Sequence, residues 1–203
     1  MHRVGEGGKR WALACGWAAA EATVWPLMPE AVLVPMVVAR PADWWWLALA
    51  SVAGSSIGGA ASYAVGRRPG SGATVAQLWL VRPAMVAAAD AWLVDEGPTG
   101  VRHQPLSGLP FKVFARVAGA RGLPPLAFLA WAAVARGARF LAVCAAAGLA
   151  GHRFGRLVRQ RRLLLLGLWA LVFTAGLART VRAWGQGGQE KVRPLQTLSR
   201  TAI

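Results

Sequence analysis

The sequence predicts an all-α integral membrane protein, an inverted repeat of two re-entrant helical hairpins that are each followed by a transmembrane helix, with one more transmembrane helix at the C-terminal side. Three observations lead to this fold class. Of the 203 residues, 56% are hydrophobic and only 15% are charged, and the mean hydropathy is +0.42. Three apolar runs approach or exceed the ~20 residues that a helix needs to cross a bilayer. Two other apolar runs are interrupted by prolines at similar points, which is typical of broken membrane hairpins.

The charge composition narrows the class of partner. The chain has 23 Lys and Arg against 8 Asp and Glu, a net charge of +15. In a polar protein this would indicate nucleic-acid binding, but here arginines punctuate apolar runs, so we expect anionic lipid and no nucleic acid. Cys15 and Cys144 lie in separate apolar runs and lack the spacing of a metal site or a disulfide framework. With no catalytic motif either, we expect no enzyme activity, no metal and no cofactor.

The apolar runs, prolines and charges divide the chain into eight segments. They are a basic N-terminal segment (1–10), a first hairpin (11–40), a transmembrane helix (43–66), an interfacial or transmembrane helix (75–94), a second hairpin (98–121), two further transmembrane helices (124–151 and 163–178) and a basic flexible tail (179–203). Residues 11–178 together form the predicted membrane domain.

The two hairpins are predicted from prolines. Pro26 and Pro29 divide the first apolar run, and Pro105 and Pro110 divide the second. No limb reaches the length of a simple span, and a broken helix survives at membrane depth only where protein or a wet cavity covers its free backbone groups. Paired, proline-interrupted segments in the two halves of a chain are a sequence sign of a transporter's binding site.

The transmembrane helices are predicted from apolar runs with suitable ends. Tryptophans at 44–46 begin the first one, where aromatic rings favour the membrane interface, and Gly54 and Gly58 allow close approach of another helix. Two prolines at 124–125 open the second, because helices accept proline in their first turn. The third is purely apolar. Residues 152–162 hold five arginines and are expected to form a loop.

Six charged side chains in apolar surroundings form the candidate site. They are Glu21, Glu30, Lys112, Arg116, Arg136 and Arg139. A charge at the bilayer centre costs about 3 kcal/mol on insertion scales. We therefore expect these groups to face one another or a polar cavity, with an acid of the first hairpin near an arginine of the 124–151 helix. The alternative is a purely structural ion-pair network.

The excess of cations over acids suits an anionic ligand such as a lipid phosphate. Lys112 follows the break at Pro110, where the free N–H groups of a half-helix N-terminus attract anions. Arginine offers a planar fork for phosphate. The carboxylates of Glu21 and Glu30 can bind and release protons, so proton coupling is compatible with the same site.

Four motifs, in order, resemble the DedA family of membrane proteins, which share the VTT (SNARE-associated) domain. They are Glu21 with Pro26-Leu-Met-Pro29-Glu30; Gly54-x-x-x-Gly58-x-x-x-x-Tyr63-x-x-Gly66-Arg67-x-x-Gly70; Pro110-Phe-Lys112-Val-Phe114 with Ala118-Gly119; and Ala135-Arg136-Gly-Ala-Arg139-Phe140. The resemblance covers about residues 11–151. The chain departs from the pattern at Ser107, where many members have arginine, and at residues 102–104, where they have an apolar limb.

The resemblance implies two re-entrant hairpins in an inverted repeat, with Glu21, Glu30 and Lys112 at the family's site positions. It also implies a bacterial plasma-membrane transporter or scramblase that moves an anionic phospholipid or a polyprenyl phosphate, such as undecaprenyl phosphate. Two alternatives stay open. One is a proton-coupled transporter of a small solute or ion that uses the same carboxylates. The other is a non-transporting membrane homeostasis factor in which the charges serve assembly.

Overall fold

A computed structural model describes residues 2–69, 78 and 80–186, and within these ranges the chain is helical and has no strand. The α-helices of the described residues are α1 (His2–Glu21), α2 (Glu30–Ala39), α3 (Trp44–Gly66), α4 (Pro83–Glu96), α5 (Gln104–Ser107), α6 (Phe111–Ala120), α7 (Pro125–Gln160) and α8 (Arg162–Gln186). Short 3-10 helices at Pro41–Asp43 and Gly97–His103 precede α3 and α5.

Three helical segments are long and apolar enough to cross a membrane. They are Pro41–Gly66, Pro125–Leu157 and Leu163–Trp184. At a rise of about 1.5 Å per residue, each exceeds the ~30 Å of a bilayer's hydrocarbon core. The all-α class and the membrane character of the chain are therefore confirmed.

Helices α1 and α3 run parallel and approach closely through small residues. A Cβ atom on Gly54 would overlap the backbone of Cys15, and one on Gly58 would overlap the backbone of Ala19. One turn further along α3, the Ser62 hydroxyl donates to the carbonyl of Ala22, at 2.6 Å. The missing side chains let the two backbones touch, which is the use of small residues in membrane helix pairs.

Helix α7 returns antiparallel to α3 and completes the centre of the fold. Gly148 of α7 lies against Trp44, while at the other end Phe128 stacks on Tyr63 with ring centroids 6.0 Å apart. The Tyr63 hydroxyl also donates to the carbonyl of Leu123. Because α3 contacts α1, α6 and α7, it is the element against which both proline-interrupted segments are placed.

The first interrupted segment begins and ends at the same end of α3. Arg10 of α1 forms an ion pair with Asp43, just before α3, and donates to the carbonyl of Met36 near the end of α2 at 2.5 Å. Its break therefore lies away from that end, beside Ser62. The second segment consists of the 3-10 helix, α5, a break at residues 108–110 and α6.

Helix α8 lies at the periphery. No residue in the most apolar stretch of its candidate span is buried. Besides its contacts with α4 and α7, it has two sets of contacts near the breaks: the Trp169 indole N–H donates to the carbonyl of Ala31 at 3.2 Å, and Thr180 and Trp184 lie beside Gly108. Each set lies next to the break of one interrupted segment.

Several predicted boundaries were wrong. The loop expected at 152–162 is helical through Gln160, with non-helical dihedral angles at Phe154 (φ −113°, ψ 18°). Helix α8 continues past residue 178 to Gln186, so this part of the predicted tail is helical. Arginine is a good helix former, so a run of positive charge does not end a helix.

Two further boundaries moved. The basic N-terminal segment 1–10 is helical from His2 and is continuous with α1. The helix expected at 75–94 begins at Pro83 and ends at Glu96, since proline is favoured at the first helical position. Residues 70–77 lie outside the described part of the chain.

The close contact of α1 with α3 predicts that Gly54→Ala lowers stability. Alanine is the better helix former by about 1 kcal/mol, but the added methyl group overlaps the Cys15 backbone, and overpacking costs about 1–3 kcal/mol. Gly137→Ala is the matched control, because a Cβ there meets only Val52 Cγ2, at 3.6 Å. Melting temperatures in detergent should fall by several degrees for Gly54→Ala alone, and equal values for the two variants would contradict this packing.

Candidate functional site

The six predicted site residues converge where the two interrupted segments meet α7. Five of their side chains are buried, and Arg139 is partly buried. They are Glu21 at the end of α1, Glu30 at the start of α2, Lys112 and Arg116 on α6, and Arg136 and Arg139 on α7. Pro29 and Pro110 precede α2 and α6, so Glu30 and Lys112 lie in the first turns of these helices, while Glu21 is the last residue of α1.

Glu21 and Arg136 form a buried ion pair. The Arg136 guanidinium donates to Glu21 Oε2 at 2.7 Å, and both side chains are about 95% buried, with exposed fractions of 5% and 6%. The guanidinium carbon also lies 4.5 Å and 5.1 Å from the ring centroids of Phe111 and Phe140. The aromatic faces stabilise the cation by cation–π attraction and fix where its N–H groups point.

Glu30 and Arg139 form the second pair. Arg139 Nε lies 2.8 Å from Glu30 Oε1, and the arginine side chain is 23% exposed. Arg139 also donates to the carbonyl of Pro105 at 3.3 Å and approaches the sulfur of Met28 at 3.4 Å. Among the described residues, neither oxygen of Glu30 has a donor in good hydrogen-bond geometry. This pair is looser and more accessible than the first.

Lys112 and Arg116 cover the backbone of the first break. Lys112 Nζ donates to the carbonyls of Val24 at 3.3 Å and Trp25 at 2.9 Å, and Arg116 donates to the carbonyl of Thr23 at 3.3 Å. These carbonyls follow the end of α1, where helical partners are missing. Lys112 is therefore a cap for the first segment, in addition to lying just after the second break.

Gln104 is a site residue that sequence reasoning missed. Its amide donates to the carbonyl of Leu109 at 3.0 Å and its oxygen receives a long contact from Arg136 at 3.5 Å. It is 3% exposed. The residues around Gln104 form no motif that predicts a site. Its position just before the second break was the one sequence feature that could have indicated its role.

Arg102 and His103, which precede Gln104 in the sequence, contact a carboxylate outside this site. Arg102 lies 3.2 Å and His103 2.8 Å from the carboxylate of Glu96 at the end of α4. The hydrogen bond with His103 holds the pKa of Glu96 below its ordinary value, and the nearby charges add to this. This cluster stabilises the fold fully at pH values above the pKa of Glu96 in the unfolded chain. The stabilisation is lost as the pH falls through the lower pKa of Glu96 in the folded protein.

A small cavity lies between the two ion pairs. It offers about 30 Å³ to a water-sized molecule, which is room for roughly one or two waters. Glu21, Glu30, Lys112, Arg136 and Arg139 all contribute to its wall. The chain thus brings three cations and two carboxylates to the wall of one small cavity, and Arg116 adds a fourth cation nearby.

The Glu21–Arg136 pair predicts a partly compensating double mutant. Arg136→Met leaves a buried carboxylate without its partner, which costs about 3–5 kcal/mol, whereas adding Glu21→Gln removes that charge as well. We expect the single variant to lose folded yield and melting temperature in detergent and the double variant to regain most of both.

Arg102→Met is the control for the pair, because the Arg102 side chain is 59% exposed where it pairs with Glu96, and exposed cations contribute about 1 kcal/mol or less to such pairs. If Arg136→Met is no more damaging than Arg102→Met, or if the double variant is worse than the single one, the pair does not hold the site together.

Comparison with known proteins gives one informative similarity. No model of a known protein family matches the chain, and no solved structure matches it. An uncharacterized protein of Haemophilus influenzae is 31% identical over 159 residues, which cover 78% of this chain and 81% of that protein. Identity at this level over most of both chains means that the chain belongs to the same family as the uncharacterized Haemophilus influenzae protein.

Proposed function

We propose that this chain is a DedA-like membrane protein of the bacterial plasma membrane that moves an anionic lipid, a polyprenyl phosphate or a phospholipid, across the bilayer. The observation that carries the proposal is the buried excess of positive charge where the two interrupted segments meet. Two of the four cations there pair with the two carboxylates and the other two donate to uncharged carbonyls, so that a phosphate group would balance the excess charge.

The proposal includes an inverted repeat of two re-entrant hairpins. The Arg10–Asp43 pair supports this for the first segment, because it joins the two ends of that segment at one end of α3. Lys112 and Arg116 support it further, since they cap carbonyls at the break. Irregular backbone at membrane depth needs such cover, whereas a water-exposed turn would not.

Arg139 is the side chain best placed to receive the phosphate. It is the most accessible of the site's cations, and its guanidinium offers the forked donors that bind phosphate in a bidentate manner. Its partner Glu30 has few other contacts. Protonation of Glu30 would release Arg139 to the phosphate, and this exchange provides a route for proton coupling.

The cavity seen here is closed to a lipid head group. At about 30 Å³ it holds water only, so the proposed cycle requires that α2 and α7 separate at the Glu30–Arg139 pair. The stronger, aromatic-flanked Glu21–Arg136 pair then keeps the two segments together while the weaker pair exchanges. Transport by this route alternates between a closed state and an open, lipid-loaded state.

A proton-coupled solute transporter and a non-transporting factor use the same residues differently. A solute transporter needs the carboxylates but gains nothing from the spare cations, and an assembly role predicts that the charges affect folding alone. The excess of cations favours lipid transport over both alternatives, and transport assays in liposomes distinguish the three functions.

The first test measures lipid flipping by the purified chain in liposomes. Arg139→Gln should lower the rate for phosphatidylglycerol or polyprenyl phosphate about tenfold or more, since a hydrogen bond to a charged group contributes about 1.5–3 kcal/mol. Arg139→Lys should retain part of the rate because it keeps the charge without the fork. Arg68→Gln, an exposed arginine after α3, is the control.

The possible outcomes distinguish the three functions. If Arg139→Gln flips lipid at the parental rate, Arg139 is not part of the site. If the parent chain does not flip lipid, lipid transport is contradicted. In that case, uptake of a small solute or of protons into the same liposomes supports the first alternative. Loss of folded yield in Arg139→Gln with normal flipping by the surviving protein supports the second.

Glu30→Gln should change the pH dependence of flipping. In the parent chain, the rate should rise as pH falls because protonated Glu30 no longer holds Arg139. The neutral glutamine keeps the shape and removes the charge, so its rate should be high and nearly independent of pH. Glu96→Gln, at the end of α4 and outside the cavity that holds Glu30, should keep the parental profile. A Glu30→Gln profile that follows the parent would contradict proton exchange at this pair.

A further inference from the structure

A second cationic cavity system lies away from the site, near the start of α3. Its larger space, about 1050 Å³, lies between the end of α2, the end of α7 and the start of α8. We call it the elbow groove, defined by its apolar wall residues Val34, Val38, Leu166 and Trp169. Binding sites for small molecules usually measure about 300–1,000 Å³, so the groove is large enough for an extended hydrocarbon chain.

A smaller, basic space adjoins the elbow groove. It measures about 550 Å³ and is lined by His152, Arg153 and Arg156. The two spaces share Gly151 and Phe154 as wall residues. Phe154 is also where α7 loses helical dihedral angles, so the kink in α7 lies between an apolar chamber and a cationic one.

The charged residues that line both spaces are basic. Lys9, Arg10 and Arg40 also line the elbow groove, where Arg10 is paired with Asp43, and none of the described residues that line either space is acidic. This cationic rim beside an apolar chamber is complementary to an anionic amphiphile.

The level of these spaces along the helices agrees with that chemistry. The three candidate spans begin or end at Pro41, Leu157 and Leu163, and these residues line the elbow groove. The arginines of the smaller space therefore lie at the level of the phosphate head groups, and the groove extends from there towards the hydrocarbon region.

We propose that these two spaces form a binding site for an anionic phospholipid, with an acyl chain in the elbow groove and the phosphate against Arg153 and Arg156. The site is separate from the Glu30–Arg139 cavity and does not depend on transport. A lipid held there contacts α2, α7 and α8 at once, and so supplies packing that the peripheral α8 lacks in the protein alone.

The experiment uses photoactivatable phospholipids that carry a diazirine in the acyl chain. The full chain is reconstituted in phosphatidylcholine vesicles that contain a small fraction of labelled phosphatidylglycerol or, in a parallel sample, labelled phosphatidylcholine. After irradiation, the labelled peptides are identified by mass spectrometry. We expect labelling at residues 34–38 and 163–169, and several times more of it with phosphatidylglycerol.

Two variants test the two halves of the site. Arg153→Ala with Arg156→Ala should lower groove labelling by phosphatidylglycerol about tenfold, the loss expected for one charged hydrogen bond. Both side chains are exposed, so the fold should be retained. Arg67→Ala with Arg68→Ala removes the same charge at the other end of α3 and should leave labelling unchanged. Leu166→Trp should fill the groove and reduce labelling by both lipids.

Four outcomes would overturn the proposal. Equal labelling by the two lipids would mean that the cationic rim selects nothing. Labelling spread along the exposed leucines of α8, without enrichment in the groove, would identify ordinary boundary lipid. An unlabelled groove in a chain that elutes as a dimer on size-exclusion chromatography in detergent would identify a second copy of the chain as the occupant. Loss of groove labelling in the Arg67/Arg68 control as well would show a general charge effect.

Discussion

The capping of three backbone carbonyls by Lys112 and Arg116 is the interaction on which the rest of the structure depends. Thr23, Val24 and Trp25 follow the end of α1, and in apolar surroundings a carbonyl without a donor costs several kcal/mol. Because α1 has ended, these carbonyls lack helical partners, and their donors come from another element, α6. This requirement brings α6 against the first break, which in turn fixes where Arg136 and Arg139 meet the acids.

The close crossing of α3 with α6 follows from the same need. Gly66 lies against the backbone of Arg116, and Gly119 lies against the backbone of Tyr63. Any side chain at either glycine would push α6 away from α3, and the lysine ammonium would then lose its carbonyl partners. The glycines that let α3 and α6 touch are therefore needed for Lys112 and Arg116 to reach the carbonyls of the first break. The buried cations are tolerated because they donate hydrogen bonds to backbone carbonyls, and leaving those carbonyls without donors would also cost free energy.

The sequence allowed the coarse fold and the site's membership to be predicted, because both are consequences of local composition. Long apolar runs predicted the spans, and Pro26 and Pro110 predicted the breaks. The cost of buried charge predicted that an acid of the first hairpin, Glu21 or Glu30, would lie near Arg136 or Arg139. The exact pairing could not be predicted, since it depends on helix rotation, and neither could Gln104 or the capping by Lys112, which require knowing which backbone groups lack partners. The clustered arginines at 152–162 predict a loop, whereas α7 continues beyond Gly151 to Gln160.

The separation of the paired charges along the chain has a consequence for how this protein is made. Glu21 and Arg136 are 115 positions apart, and Val24 is 88 positions from Lys112. The first half of the protein is therefore synthesised with two acids and a broken helix whose partners do not yet exist, and each unpaired charge at the bilayer centre costs about 3 kcal/mol on insertion scales. Helix α3 can insert on its apolar character alone. We therefore expect the α1–α2 segment to reach its final place against α3 only after α6 and α7 have been synthesised, so that the pairing of charges sets the order in which the fold assembles.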